Sequence, residues 1–154
     1  MVNPQIHSST KIWHPDKVNI YGNCIIGENC NIGCFVEIGP GVIIGNNVSI
    51  AAFCFIPSGV TIEDGCFIGP RVTFTNDKYP PSNKEEWLPT LVKTKARIGA
   101  GAIICPGVII GSNALVGAGS VVTSDIPDNC RIAGNPGRRM IQPIKLSEIV
   151  GHDI

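Results

Sequence analysis

Ile20-Tyr-Gly-Asn-Cys-Ile-Ile26-Gly-Glu-Asn-Cys-Asn-Ile32-Gly-Cys-Phe-Val-Glu-Ile38-Gly-Pro-Gly-Val-Ile-Ile44-Gly45 places an isoleucine at every sixth residue. Outward from this stretch the step continues through Ile50, Ile56, Ile62, Ile68 and Phe74, stops, and resumes at Val92, Ile98, Ile104, Ile110, Val116 and Val122. Phe74 and Val92 are 18 residues apart, or three hexads, so the register survives the interruption. Two residues ahead of each large aliphatic lies a smaller one, as at Cys24, Cys30, Val36, Val42, Val48, Cys54, Val60, Cys66 and Val72, then Ala96, Ala102, Val108, Ala114 and Ser120. Glycine often follows the large residue, with polar pairs such as Glu28-Asn29 and Asn46-Asn47 next, which reads as a short strand followed by a turn.

An α-helix repeats near 3.6 residues and an isolated strand near 2, so a period of six over this length fits neither. A coil with flat sides fits. If three hexads complete one triangular turn, residues 18 apart stack at the spacing of neighbouring strands, about 4.8 Å. Each side then buries one large and one small apolar residue, and Gly, Pro and Asn form the corners. The expectation is an all-β solenoid in a single domain over 1–154, with coils over about 12–74 and 92–124, a loop at 75–91 and a C-terminal cap at 125–154.

The rest of the composition limits the partners. Twelve Lys plus Arg balance twelve Asp plus Glu with no dense basic run, so the footprint of a nucleic-acid binder is missing. The first ten residues lack the basic start and apolar run of a secretory signal, which reads as cytoplasmic. Seven cysteines without CxxC spacing argue for reduced thiols. Cys24, Cys30, Cys54 and Cys66 fall in the small inward slot, while Cys34, Cys105 and Cys130 lie off it. Residues 98–124 carry no charge, but six glycines punctuate them with turn signals, so a membrane span is not expected.

The loop at 75–91 holds three prolines, Tyr79 and Trp87. Aromatic residues suit a merely solvated loop poorly, and sites gather where loops leave a rigid scaffold, so both are candidate substrate contacts. His14 lies six residues before Ile20, in the large inward register, where it would cap the first coil. Glu37 faces outward beside inward Val36, as a solvated charge or an acceptor contact. After the last coil, Arg138 and Arg139 suit phosphate groups or form a solvated basic pair, and Pro143 to Val150 reads as a short helix.

The pattern [Ile/Val]-Gly-x-x-[small]-x, over most of residues 18–124, resembles that of the hexapeptide-repeat acyltransferases, whose fold is a single-stranded left-handed parallel β-helix. The left hand comes from the resemblance alone, since general chirality rules favour right-handed crossovers. Gly134-Asn135-Pro136-Gly137 resembles the "GNPA" element that follows the last coil in these enzymes. The resemblance implies acetyl-CoA as co-substrate, a homotrimer, and coenzyme A held between coils. Corner amides at Gly99-Ala100 and Gly117-Ala118, together with Pro136, Arg138 and Arg139, are its candidate ligands, because glycine-rich corners let a thioester approach backbone donors closely.

Many O-acetyltransferases of this fold carry a loop histidine that deprotonates a hydroxyl. The chain has only His7, His14 and His152, and at the corresponding place reads Phe74-Thr-Asn76-Asp77-Lys-Tyr-Pro80. An amine, once it sheds a proton, is already nucleophilic and needs less help than an alcohol. Phe74 to Pro80, Lys11-Ile-Trp-His14, Gly45-Asn-Asn-Val48 and Pro89-Thr-Leu-Val-Lys93 resemble the nucleotide-sugar N-acetyltransferases, which acetylate 3-amino sugars carried on UDP or dTDP. In that group Asn76 would orient the amine and Asp77 would hold a water or take charge, with His14 a further catalytic candidate. O-acetylation of a sugar hydroxyl and a non-catalytic assembly subunit are the alternatives. A γ-type carbonic anhydrase shares the fold but needs three histidine zinc ligands, which these three positions do not assemble, so no metal is expected.

Overall fold

The computed structural model describes residues 3–141. Short parallel strands wind into three sheets. The first sheet stacks Gln5–Ile6, Ile25–Ile26, Ile43–Ile44, Val60–Ile62, Thr90–Val92 and Ile109–Ile110. The second stacks Lys11–Ile12, Asn31–Ile32, Ser49–Ile50, Phe67–Ile68, Arg97–Ile98, Leu115–Val116 and Arg131–Ala133, and Arg138–Arg139 closes it as the one antiparallel partner. The third stacks Asn19–Ile20, Glu37–Ile38, Phe55–Ile56, Thr73–Phe74, Ile103–Ile104 and Val121–Val122. The chain visits first, second and third sheet in turn, and partners such as Ile26 and Ile44 or Ile32 and Ile50 are 18 residues apart. This is the expected β-solenoid, of the left-handed β-helix class. Among the described residues, no helix is long and apolar enough to cross a membrane.

The alternation of the repeat is the alternation of the wall. Ile26, Ile32, Ile38, Ile44, Ile56, Ile62, Ile68, Ile98, Ile104 and Ile110 are fully buried on the axis, with Val36, Val42, Val48, Val60 and Val72 between them. The four cysteines assigned to the small slot lie there too. Cys24, Cys30 and Cys54 donate their thiols to Gly39 O, Gly45 O and Gly69 O at 3.0–3.1 Å, three corners 15 residues on. Burial pushes the Cys54 and Cys66 thiols up to about 11, so they behave as small hydrophobes rather than nucleophiles.

The register breaks in three places, each with a local cause. Between Ile12 and Ile20 the turn Pro15–Lys17 adds two residues, so Ile12 pairs with Ile32 at a spacing of 20. Ile12 therefore takes the inward place that period-six counting gave to His14, and His14 is exposed at the head of that turn. After Phe74 the step to the first sheet takes 18 residues rather than six, and Phe74 pairs with Ile104 at a spacing of 30. After Val122 the step shortens by two. Ile126 bridges Ile110 and Ile132 pairs with Val116, both 16 apart, so the wall runs two sides further. That shift puts Cys130, which the unbroken count left off the wall, two residues before an inward isoleucine and against the core. The helix expected at 143–150 lies outside the described residues.

Candidate functional site

The loop leaves the wall at the corner between third and first sheets and is pinned at its root. Thr75 donates its backbone N–H and its hydroxyl to Ile104 O, at 2.9 and 3.0 Å. Asn76 donates Nδ2 to Ser58 O at 3.0 Å, one coil below, while its own carbonyl accepts from Leu88 N at 2.9 Å. Both ends of the excursion thus meet at Asn76. Asp77 accepts from Ser82 N at 2.8 Å, Ser82 Oγ at 2.8 Å and Tyr79 N at 3.1 Å. The Ser82 amide, helped by its hydroxyl and the Tyr79 amide, holds the Asp77 carboxyl below the usual carboxylate range. Beyond it, the turn Lys84–Glu86 folds Trp87 back to the wall, with Trp87 N donating to Lys84 O at 3.2 Å.

Under the loop root lies a cavity of about 250 Å³. Asn76, Trp87 and Glu37 line it together with Tyr21, Phe55 and Ser58. Because Asn76 spends Nδ2 on a carbonyl, its Oδ1 is left as an acceptor. Glu37 adds a carboxylate. The indole N–H of Trp87 is buried and has no partner among the described residues. Two acceptors and a spare donor beside apolar walls suit a polar, uncharged or cationic group. Among the described residues no histidine, lysine or arginine lines this cavity.

Three of the residues singled out in the sequence therefore come together here, and three do not. The Asp77 oxygens are committed to the loop backbone and Ser82. Tyr79 stands at the loop tip, 77% exposed. His14 sits at a different corner, between second and third sheets. Tyr21, Phe55 and Ser58 were missed by sequence reasoning, although the period held the signal: Ser58 is 18 residues before Asn76, and Phe55 is 18 after Glu37.

The candidate cofactor ligands form a second feature, along the corner between second and third sheets. Gly99, Ala100, Gly117 and Ala118 occupy successive coils of one column. A Cβ on Gly99 would stand 2.5 Å from Ala118 N and 2.8 Å from Val116 O, so glycine is what lets the coils close at this corner. Further out, a Cβ on Gly101 or Gly119 would meet nothing within 4 Å, and Ala100 and Ala118 are exposed. The 134–137 turn closes the column from above. Gly134 N donates to Ser120 Oγ at 3.2 Å, Ser120 Oγ donates to Gly117 O at 2.7 Å, and Gly137 N donates to Val121 O at 2.8 Å. Pro136, Arg138 and Arg139 are exposed on that cap. The column and the cavity flank opposite edges of the third sheet.

The model of the bacterial transferase hexapeptide family, of six repeats, matches residues 23–58, 41–76 and 89–124. A galactoside O-acetyltransferase of Lactococcus lactis is 32% identical over 130 residues, 72% of this chain and 59% of that protein. A dTDP-3-amino-3,6-dideoxy-α-D-galactopyranose 3-N-acetyltransferase of Aneurinibacillus thermoaerophilus is 59% identical over 49 residues, 32% of this chain and 26% of that protein. Among solved structures, an aspartate-to-alanine mutant of AntD, an N-acyltransferase from Bacillus cereus in complex with dTDP and coenzyme A, superposes with a TM-score of 0.69. It is 25% identical, over 97% of this chain and 86% of that one. The chain spans about half the length of the curated relatives it matches.

Proposed function

The chain belongs to the bacterial transferase hexapeptide family, and from that premise we propose that it moves an acetyl group from acetyl-CoA to the amine of a nucleotide-linked amino sugar. The observation that carries the reading is the cavity under the loop root, which offers Asn76 Oδ1 and the Glu37 carboxylate as acceptors and, among the described residues, no imidazole base. Similarity to a dTDP-amino-sugar N-acetyltransferase and to an N-acyltransferase that binds dTDP and coenzyme A supports it.

In this reading acetyl-CoA supplies an activated thioester carbonyl. The open corner at Gly99-Ala100 and Gly117-Ala118 accommodates its pantetheine arm; Gly99 N and Gly117 N donate to Val116 O and Ile132 O, which leaves the Ala100 and Ala118 N–H groups to meet the oxygen that becomes negative during attack. Arg138 and Arg139 on the cap provide cations for its phosphates. Asn76 Oδ1 accepts from the amine and aims its lone pair. Glu37 favours the amine's arrival as an ammonium, which loses one proton to solvent before attack; the nitrogen then bonds to the acetyl carbon as the C–S bond breaks, and its second proton goes to the departing coenzyme A thiolate. Trp87 N–H donates to an oxygen of the sugar. Asp77 is a positioning residue, since it holds the loop that presents Asn76 and Trp87. His14, placed at another corner, does not line this cavity within one chain.

The cavity and the glycine column lie on opposite edges of one sheet, so within one chain they do not meet. A homotrimer in which the loop of one copy reaches the column of the next would unite them, and each site would then draw on two subunits. All seven cysteines are free, which suits a reducing, cytoplasmic setting. The test is acetyl-CoA binding by calorimetry against an Ala118→Leu variant, whose side chain would fill the open corner. Binding by the natural protein and its loss in the variant support the reading. Absence of binding at millimolar acetyl-CoA overturns it in favour of a non-catalytic solenoid.

A further inference from the structure

At the corner between second and third sheets, on the side of the stack nearer the N-terminus, the glycine column gives way to aromatic residues. Phe35 and Phe53 occupy successive coils there with φ of 56° and 63°. Other non-glycine residues in this left-handed region are mostly asparagines, such as Asn23, Asn29, Asn47, Asn113 and Asn129. A phenylalanine gains nothing locally from that conformation, which its Cβ makes unfavourable. Both rings are nonetheless half exposed, at 50% and 51%, and they stack with centroids 5.0 Å apart and planes 15° from parallel. Cations bracket the pair. Lys17 Nζ lies 5.7 Å from the Phe35 centroid and Arg71 Cζ lies 5.8 Å from the Phe53 centroid, near the outer limit for such contacts.

Beside this ladder is a cavity of about 320 Å³ that includes Asp16, Lys17, Asn19, Phe35 and Glu37. Glu37 also lines the cavity under the loop root, so the two share a wall across the third sheet. A ligand could thus run from the aromatic corner to Asn76 on the surface of a single chain.

We propose that the Phe35–Phe53 ladder, with Lys17 and Arg71, is the recognition site for the nucleoside diphosphate part of the acceptor. A planar base stacks on the exposed ring surface, and the two flexible cations turn from the rings to the diphosphate. Asp16 and Asn19 offer acceptors to base or ribose donors. The sugar then lies over Glu37 with its amine toward Asn76. The proposal rests on the reading of the acceptor as nucleotide-linked, and it explains why strained, exposed aromatic residues stand where asparagine or glycine would fold at least as well.

The test is calorimetric titration of the full chain with dTDP and with UDP, compared with an F35N/F53N double variant. Asparagine is comfortable at positive φ, so the variant keeps or raises its melting temperature and a loss of binding is not a loss of fold. Base–aromatic stacking predicts that affinity falls about five- to hundredfold. Unchanged affinity in the variant, or no binding of either probe to the natural protein at millimolar concentration, overturns the proposal. So does a change of assembly state in light scattering, which would make the ladder an interface between copies. If nucleoside diphosphates bind in a Phe-dependent way and yet no amino sugar is acetylated, the ladder stands and the proposed reaction falls. If amino sugars are acetylated while the double variant binds dTDP normally, the reverse holds.

Discussion

Replacing Trp87 with phenylalanine separates a structural from a ligand-binding role, because the two predict opposite signs. The indole N–H is buried without a partner among the described residues, and such an orphan donor costs about 1–3 kcal/mol. Phenylalanine removes the donor and part of the ring. At about 0.8 kcal/mol per buried carbon, a partly buried side chain that loses two ring carbons gives back about 1 kcal/mol. The net change is between about 0 and 2 kcal/mol in favour of the variant, a melting temperature unchanged or raised by several degrees for a chain of this size. For the acceptor the sign reverses. Losing a neutral hydrogen bond of about 0.5–1.5 kcal/mol raises KM about two- to twelvefold and leaves kcat nearly intact, because the bond is made to the sugar and not to the reacting atoms. The assay is differential scanning calorimetry beside steady-state thiol release on the same preparations. A melting temperature that drops by more than about 4 °C with an unaltered KM would instead make Trp87 a packing residue.

Other positions give independent checks. Gly99→Ala forces a Cβ against Ala118 N and Val116 O, backbone atoms on the coil above, and is expected to cost about 3 kcal/mol, seen as a lowered melting temperature. Thr90 sits in the small inward slot with a buried hydroxyl that has no partner among the described residues, and Val60 pairs with it one coil below. Thr90→Val should therefore stabilise by about 1 kcal/mol in chemical denaturation. Asp77 has a folded pKa below its unfolded value of about 3.9, so its clamp is fully present above that pH and is lost as pH falls through the lower folded value. In a Trp13→Phe background Trp87 emission should report this acid transition, and Asp77→Asn should abolish it while loosening the loop at neutral pH.

The wall was legible because each hexad repeats one physical demand, an inward aliphatic and a turn, and ten in succession leave no competing period. Where the count went wrong, a short local feature had changed the length of one side. Pro15–Lys17 moved His14 out of the core, and the shortened step after Val122 brought Cys130 into it. Asn76, Glu37 and Trp87 were legible as a polar residue, a charge and an aromatic in unlikely company, yet nothing local marked Tyr21 or Phe55 as their neighbours. Those contacts arise only from stacking 18 residues apart. The surroundings of Asp77 were not legible for a related reason: its partner Ser82 lies five residues away within the loop, and sequence alone does not distinguish a carboxylate engaged by two amides and a hydroxyl from an unengaged one.

Acetyl transfer to an amine at the Asn76 cavity is open to a decisive assay: thiol release from acetyl-CoA with a dTDP-linked 3-amino sugar and its 3-hydroxyl analogue, on the natural protein and on Asn76→Ala. The expected result is turnover of the amine, little or none of the hydroxyl, and loss of most activity in the variant. Equal or faster turnover of the hydroxyl analogue, or full activity without Asn76, would contradict it.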